Sequence, residues 1–218
     1  MTSNPIDEGD QTMTTILHID SGIFGADSKS NGLSAAFLTA YQAANPGSTV
    51  IRRDLAADPL PHLDATLVQA FMTPEAERQG LVAEAGERSD AAVAELQDAD
   101  VLVIGLPMYN FNLPSTFKAW FDHVARAGVT FRYTENGPAG LLTGKKAFVL
   151  GARGGVYAGT ANDHQEPYIR QMLGFLGITD VEFVYAEGLN MGEEQAAAGL
   201  ANAHSSIEDL AIIERQAA

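Results

Sequence analysis

Apolar residues gather in five short runs, each separated from the next by a stretch with helical spacing or turn residues. Ile16, Leu17 and Ile19 form the first run, which ends at Asp20. Leu33, Phe37, Leu38, Tyr41 and Ala44 then recur at helical intervals, and Asn45-Pro46-Gly47 stops that helix. Thr49, Val50 and Ile51 predict a second strand. Residues 54–64 read as a loop because of Pro59 and Pro61, and residues 75–98 as mostly helix, with Leu81, Val82, Ala85, Val93 and Leu96 as its apolar face. Residues 101–104 are a continuous apolar run, the signature of a strand in a parallel sheet covered on both faces. Asn112 is placed to cap the next helix, with Pro114 in its first turn. Phe117, Trp120, Phe121 and Val124 mark that helix's buried stripe, and Gly128 ends it.

The segment 129–143 departs from this rhythm. Its VTFRYT reads as an extended arm and Asn136-Gly137 as a turn. Few local partners are foreseen for the arm, which suits a dimer element; a hairpin packed on its own subunit is the alternative. Residues 147–150 form a fourth strand and 181–185 a fifth. A helix around 163–176, with Tyr168, Met172, Leu173 and Leu176 inward, separates them, and an alanine-rich helix over 193–215 closes the chain. Strands alternating with helices predict an α/β sandwich in three layers, with right-handed crossovers. Residues 14–218 are expected to form a single domain behind a loose tail, 1–13, in which Met13 offers a second start.

Composition narrows the chemistry. Thirteen Lys and Arg against 28 Asp and Glu give a formal net charge of −15, which repels nucleic-acid phosphates and anionic membranes. No nucleic acid and no membrane are therefore expected as partners. The chain has no cysteine, so thiol nucleophiles, disulfides and thiolate metal sites are excluded. Its histidines lack the spacing of a metal-binding motif, and no metal is expected. The polar, acidic first residues do not resemble a secretory signal, and a cytoplasmic location follows by default.

In open α/β sheets, ligands bind beyond the carboxyl ends of the strands. Three loops at that edge have unusual composition. The first, 21–30, leads Ser28, Ser30 and Asn31 into a helix whose free N–H groups favour an anion, although Ser28 as a plain N-cap explains the same residues. Gly22 and Gly25 do not make a dinucleotide fingerprint, so one terminal phosphate fits better than a pyrophosphate. The second loop, 105–114, exposes Met108, Tyr109 and Phe111 just after a buried strand, beside Asn110, which both donates and accepts hydrogen bonds. Such residues can sandwich a flat ring; an ordinary turn with its aromatics in the core is the alternative. The third, Ala152-Arg153-Gly154-Gly155, allows close approach of the main chain to a planar carbonyl or ring nitrogen, or is a flexible connection.

Taken together, HIDSGIFGADSKSN (18–31), PMYNFNLPSTFKAWFDHVARAGVTFRYTENGPAGLLTGKKAFV (107–149), ARGG (152–155) and GFLGI (174–178) resemble the FMN-dependent NADH:quinone oxidoreductases and NADH-azoreductases, from about Thr14 to the end of the chain. The resemblance implies a flavodoxin-like fold, its five-stranded parallel sheet ordered 2-1-3-4-5, in a homodimer with one FMN per subunit at the interface. It implies ping-pong hydride transfer from NADH through FMN to small aromatic acceptors. Quinones are reduced to hydroquinones by two electrons, and azo compounds are cleaved to amines. It puts Ser21, Gly22, Ser28, Lys29 and Ser30 in the phosphate loop, and Met108, Tyr109, Asn110, Phe111, Ala152, Arg153, Gly154 and Gly155 along the flavin. Asn110 is the catalytic candidate, as a residue that positions and polarises the flavin. Phe131, Tyr133 and Phe175 are the acceptor pocket. Two positions depart from the family's pattern, Gly22 and Ala152, each where a serine is usual. Both remove hydroxyls, so weaker retention of FMN is expected. An acidic electron carrier without turnover is the competing reading.

Overall fold

The computed structural model describes residues 13–217, so the expected 1–13 tail lies almost wholly outside it. Five parallel strands make the central sheet: β1 (Thr15–Asp20), β2 (Thr49–Asp54), β3 (Val101–Pro107), β6 (Lys146–Ala152) and β7 (Asp180–Ala186), in the order β2-β1-β3-β6-β7. Counting only these five, that is 2-1-3-4-5. Among the described residues, six α-helices complete the layers: α1 (Lys29–Ala44), α2 (Ala65–Met72), α3 (Leu81–Asp98), α4 (Ser115–Val124), α5 (Gln165–Leu176) and α6 (Glu193–Ala217).

Alternate residues of each strand enter different cores. Ile16, Val101, Val103, Phe148 and Leu150 face Leu33, Phe37, Ala203 and Ile207 of α1 and α6. Leu17, Ile19, Leu102, Ile104 and Val149 face Val93, Leu96, Phe117, Trp120, Phe121 and Leu173 of α3, α4 and α5. Burial on both faces is the reason β3 reads as one unbroken apolar run. The order of pairing reverses between β1 and β3, so the loops leaving those two strands diverge and open a crevice.

Several boundaries differ from the expectation. Helix α2 was unassigned: it follows the proline loop and starts where the Asp64 carboxylate accepts the Leu67 N–H at 2.8 Å. The long helix 75–98 divides into a short 3₁₀ turn, Glu75–Glu77, and α3, broken by Gly80 at φ 54°. Leu81 is exposed at the start of α3, and Gly86, Ser89 and Ala92 join Val93 and Leu96 on the buried face instead. Asn112 does not cap α4. Pro114 occupies the cap position without a side-chain bond, and the helix stops at Val124, before Gly128. Strands β3 and β6 both run past the apolar residues into the loops, through Pro107 and Ala152.

The arm is a hairpin on its own subunit. Strands β4 (Phe131–Thr134) and β5 (Gly137–Gly140) pair antiparallel. Phe131 is buried at its base, with its ring centroid 4.3 Å from that of Phe175 on α5. Thr130 anchors the near end by donating its hydroxyl to the Val124 carbonyl at 2.6 Å. Among the described residues, no helix is long and apolar enough to cross a membrane.

Candidate functional site

The three loops singled out by composition meet at the carboxyl edge of the sheet. Ser28 stands at the N-cap position of α1, yet its hydroxyl makes no capping bond. It pairs with the Ser30 hydroxyl at 3.1 Å, and both side chains are buried. The first-turn N–H groups of α1 are therefore left without the usual side-chain acceptor, a ready site for an anion. Asn31 holds the loop compact: its amide oxygen accepts the Gly22 N–H at 3.1 Å, and its NH2 donates to the carbonyls of Gly22 and Gly25. Lys29 is exposed at the same end. A Cβ on Gly22 would lie 1.9 Å from the Ser28 Oγ, so in this conformation Ser28 fills the space beside Gly22.

The second loop is a tight two-residue turn. Tyr109 and Asn112 exchange backbone hydrogen bonds at 2.9 and 3.0 Å, with Asn110 at φ 49° and Phe111 at φ 64° between them. Among the described residues these are the non-glycine positions with positive φ. Asparagine accepts that conformation readily, whereas phenylalanine is strained in it. Phe111 is 56 % exposed and lies edge-on to Tyr157 at 5.8 Å. The turn's aromatics are thus outside the core. The Tyr109 hydroxyl accepts the Ile23 N–H at 3.2 Å, joining this loop to the first.

The third loop is wound against residues 188–190. The carbonyls of Arg153, Gly154 and Gly155 accept N–H groups from Leu189, Asn190 and Gly188. Among the described residues, the Gly154 and Gly155 N–H groups have no acceptor, and they form a pair of main-chain donors at the site edge. Added side chains would crowd this loop: a Cβ on Gly154 would meet the Asn190 amide at 2.5 Å and one on Gly155 the Tyr157 ring at 2.7 Å, so the facing side chain would have to shift.

Three adjoining recesses share Met108. One of about 250 Å³ is lined by Ser28, Lys29, Ser30, Tyr109, Ala152 and Gly154, among others. A second, of about 430 Å³, lies between Asn110, Phe111, Gly154, Gly155, Tyr157 and Asn190. A third, of about 600 Å³, opens over Ile23, Tyr109, Asn110 and Pro114. Together they offer hydroxyls and helix N–H groups at one end and a flat, partly apolar wall with free main-chain donors at the other. That donor set fits a phosphate joined to a planar heteroaromatic ring.

Not every expected residue takes part by its side chain. The Ser21 hydroxyl is committed to the Gly105 carbonyl at 2.7 Å. The Arg153 guanidinium is buried beneath the loop, paired with Asp163 at 2.9 Å and Glu187 at 3.2 Å and stacked 4.0 Å above the Tyr185 ring. Burial, and then the hydrogen bond to Glu166, push the Tyr185 phenol well above its ordinary pKa and keep it a donor. Phe131, Tyr133 and Phe175 form their own cluster on the hairpin and α5, and none of them lines the three recesses. Asn31 is expected only as part of the loop leading into α1, and the structure gives it the role of a loop tie; Tyr157 and Asn190 carry no local signal, because only folding brings them to Phe111 and Gly154.

Residues 14–211 match the family described as flavodoxin-like fold. The FMN-dependent NADH:quinone oxidoreductase 2 of Pseudomonas fluorescens is 52 % identical over 199 residues, 91 % of this chain and 100 % of that protein. An FMN-dependent NADH:quinone oxidoreductase of Burkholderia lata is 54 % identical, over 89 % of this chain and 98 % of its own length. Among solved structures, an azoreductase of Bacillus anthracis aligns with a TM-score of 0.79 at 32 % identity, covering 90 % of this chain and 100 % of that one. An FMN-dependent NADH-azoreductase of Bacillus anthracis in complex with FMN aligns with a TM-score of 0.84 at 29 % identity, over 93 % and 100 %.

Proposed function

The chain belongs to the FMN-dependent NADH:quinone oxidoreductases and azoreductases of flavodoxin-like fold, and from that premise we propose how its strand-end loops divide the work. It is an enzyme that uses NADH and FMN for two-electron reduction of quinones and reductive cleavage of azo compounds. When bound, FMN supplies a flat redox-active ring that takes up electrons from NADH and passes them to the acceptor in alternating half-reactions. Everything else falls to the protein, as binding, orientation and exclusion of water.

The first-turn N–H groups of α1, with Ser28, Lys29 and Ser30, hold the phosphate. The observation that carries this is the uncapped helix end, where both buried hydroxyls bond to each other rather than to the backbone. Gly154 and Gly155 offer their N–H groups to the polar edge of the ring, where reduction builds negative charge. Met108, Tyr109 and Phe111 form the wall beside it, and Asn110, at the tip of the turn, positions and polarises the ring. No side chain is required as a nucleophile. Ser21 and Arg153 serve from behind, as ties within the scaffold. The Ser28 hydroxyl beside Gly22 keeps one hydroxyl where the departure at 22 removed another.

Anaerobic mixing of the FMN-loaded protein with NADH, and separately with NADPH, tests the reading. Rapid bleaching of the flavin band followed by reoxidation by benzoquinone or an azo dye is expected; a flavin that stays oxidised with both nicotinamides refutes it. Asn110→Ala should slow bleaching more than it weakens FMN binding, and an unchanged rate removes the role given to Asn110.

The proposal extends to a homodimer with sites at the interface, in which Phe131, Tyr133 and Phe175 shape the acceptor pocket and one of Tyr133 and Phe175 reaches over the subunit boundary. Tyr133 is 76 % exposed at the hairpin tip, and Leu63, Val68, Met72 and Leu81 are exposed around α2 and the start of α3. Sedimentation should find a dimer that Tyr133→Ser weakens, and a monomer at micromolar concentration overturns it. A cytoplasmic location completes the reading, since NADH is a cytoplasmic solute; cell fractionation tests it.

A further inference from the structure

One buried side chain outside the expected site touches both ring-side loops. Gln165, in the first turn of α5, is 1 % exposed. Its Nε2 donates to the Pro107 carbonyl at 2.9 Å, at the end of β3 just before the strained turn, and to the Asn112 carbonyl at 3.1 Å, which closes it. Its Oε1 accepts the Arg153 Nε–H at 3.2 Å, at the root of the glycine loop. Both amide protons and the amide oxygen are used, so the orientation of the side chain is fixed by its partners. Asp163 secures the platform: its carboxylate accepts the backbone N–H groups of Gln165 and Glu166, both at 3.1 Å, while pairing with Arg153.

We infer that Gln165 is a positioning residue that sets the spacing and facing of the 108–111 turn and the 152–155 loop, and so the grip on the flavin ring. The inference rests on the functional reading above. The turn holds Phe111 in a conformation unfavourable to it, and its closing bonds join only Tyr109 to Asn112. Gln165 adds external anchors at its base. The Met108 N–H, bonded to the Ala152 carbonyl at 3.0 Å, ties the two loops directly through the backbone. A carboxylate at position 165 would keep an acceptor for Arg153 but would set bare oxygens against two carbonyls, which would push the turn away.

Gln165→Glu and Gln165→Met separate the anchors, the first keeping shape and the bond to Arg153, the second keeping bulk alone. Flavin titrations followed by fluorescence should show both variants binding FMN and riboflavin roughly tenfold more weakly than the parent. The FMN-to-riboflavin ratio of dissociation constants should stay at the parent's value, because the phosphate loop is untouched, and the visible band of bound flavin should move toward that of free FMN. Parent-like affinities with an unchanged band overturn the inference. So does loss of cooperative unfolding in both variants, which would make Gln165 a plain core residue, and so does a loss confined to FMN, which would put its effect at the phosphate. A parent protein that takes up no FMN would instead sink the functional reading itself, and this inference with it.

Discussion

Among the described residues, two tight antiparallel turns place positive φ on different residues. In the hairpin of β4 and β5, Gly137 takes it at φ 102°, while Thr134 closes the turn by donating its hydroxyl to the Gly137 carbonyl at 2.7 Å. In the turn at the sheet edge, Asn110 and Phe111 take it, with no glycine at all. Glycine adopts this conformation without strain, and a phenylalanine does so at a cost of roughly 1–2 kcal/mol. The hairpin is folded in the cheapest way and rests on a buried aromatic base. The edge turn accepts strain so that an aromatic ring can stand at the recess opposite Tyr157, and it is held from below by Gln165. The edge turn carries its strain beside the recesses, whereas the hairpin carries none at a non-glycine residue.

That contrast can be broken or sharpened by substitution. The largest effect is expected at the hairpin base. Phe131→Ala should lower unfolding stability by about 3 kcal/mol, by removing a ring packed on Phe175, and leave FMN affinity of the folded protein unchanged. A large loss of FMN affinity would show that the hairpin serves the flavin directly. Gly155→Ala should do the reverse. Its methyl would press on the Tyr157 ring and weaken FMN binding by about 2 kcal/mol, with little change in the stability of the flavin-free protein. Unaltered titration curves would put the ring elsewhere.

Smaller effects concern the strain itself. Gly137→Ala should cost about 1 kcal/mol of stability, whereas Phe111→Gly should gain about 0.5 kcal/mol in the flavin-free protein while weakening its hold on FMN. Denaturant unfolding measures both, and changes of the same sign at the two positions would dissolve the comparison. An equally small effect belongs to Ala152, whose carbonyl receives the Met108 N–H at the foot of the turn and which lines the recess beside Ser28. Ala152→Ser should tighten FMN by about 0.5 kcal/mol, within the range of one added hydrogen bond. Equal affinity would show that the hydroxyl finds no partner.

Much of this architecture could be read from the chain. Five apolar runs became five strands, because a parallel sheet buried on both faces leaves no polar alternation to blur them. That the 21–30 loop, the 108–111 turn and the glycine loop would stand out was legible because hydroxyls before a helix, exposed aromatics after a strand and paired glycines each have few explanations at a strand end. Helix α2 was missed although Asp64 stood before it as a cap; the prolines just upstream masked it. Asn112 was misread for a related reason, since a capping residue and a turn residue look alike in sequence.

By itself, then, the sequence determined which segments become strands and which loops carry unusual chemistry, since periodicity and residue type are local properties. The uses of the buried polar groups came from packing. Arg153 turned away from the recess toward Asp163, Glu187 and Tyr185, the Ser28 hydroxyl toward Ser30 and not the helix end, and Gln165 toward two loops 58 and 12 residues away in the chain. A polar group removed from water must find partners within hydrogen-bond distance, and those partners are set by how layers pack. No spacing along the chain records that choice.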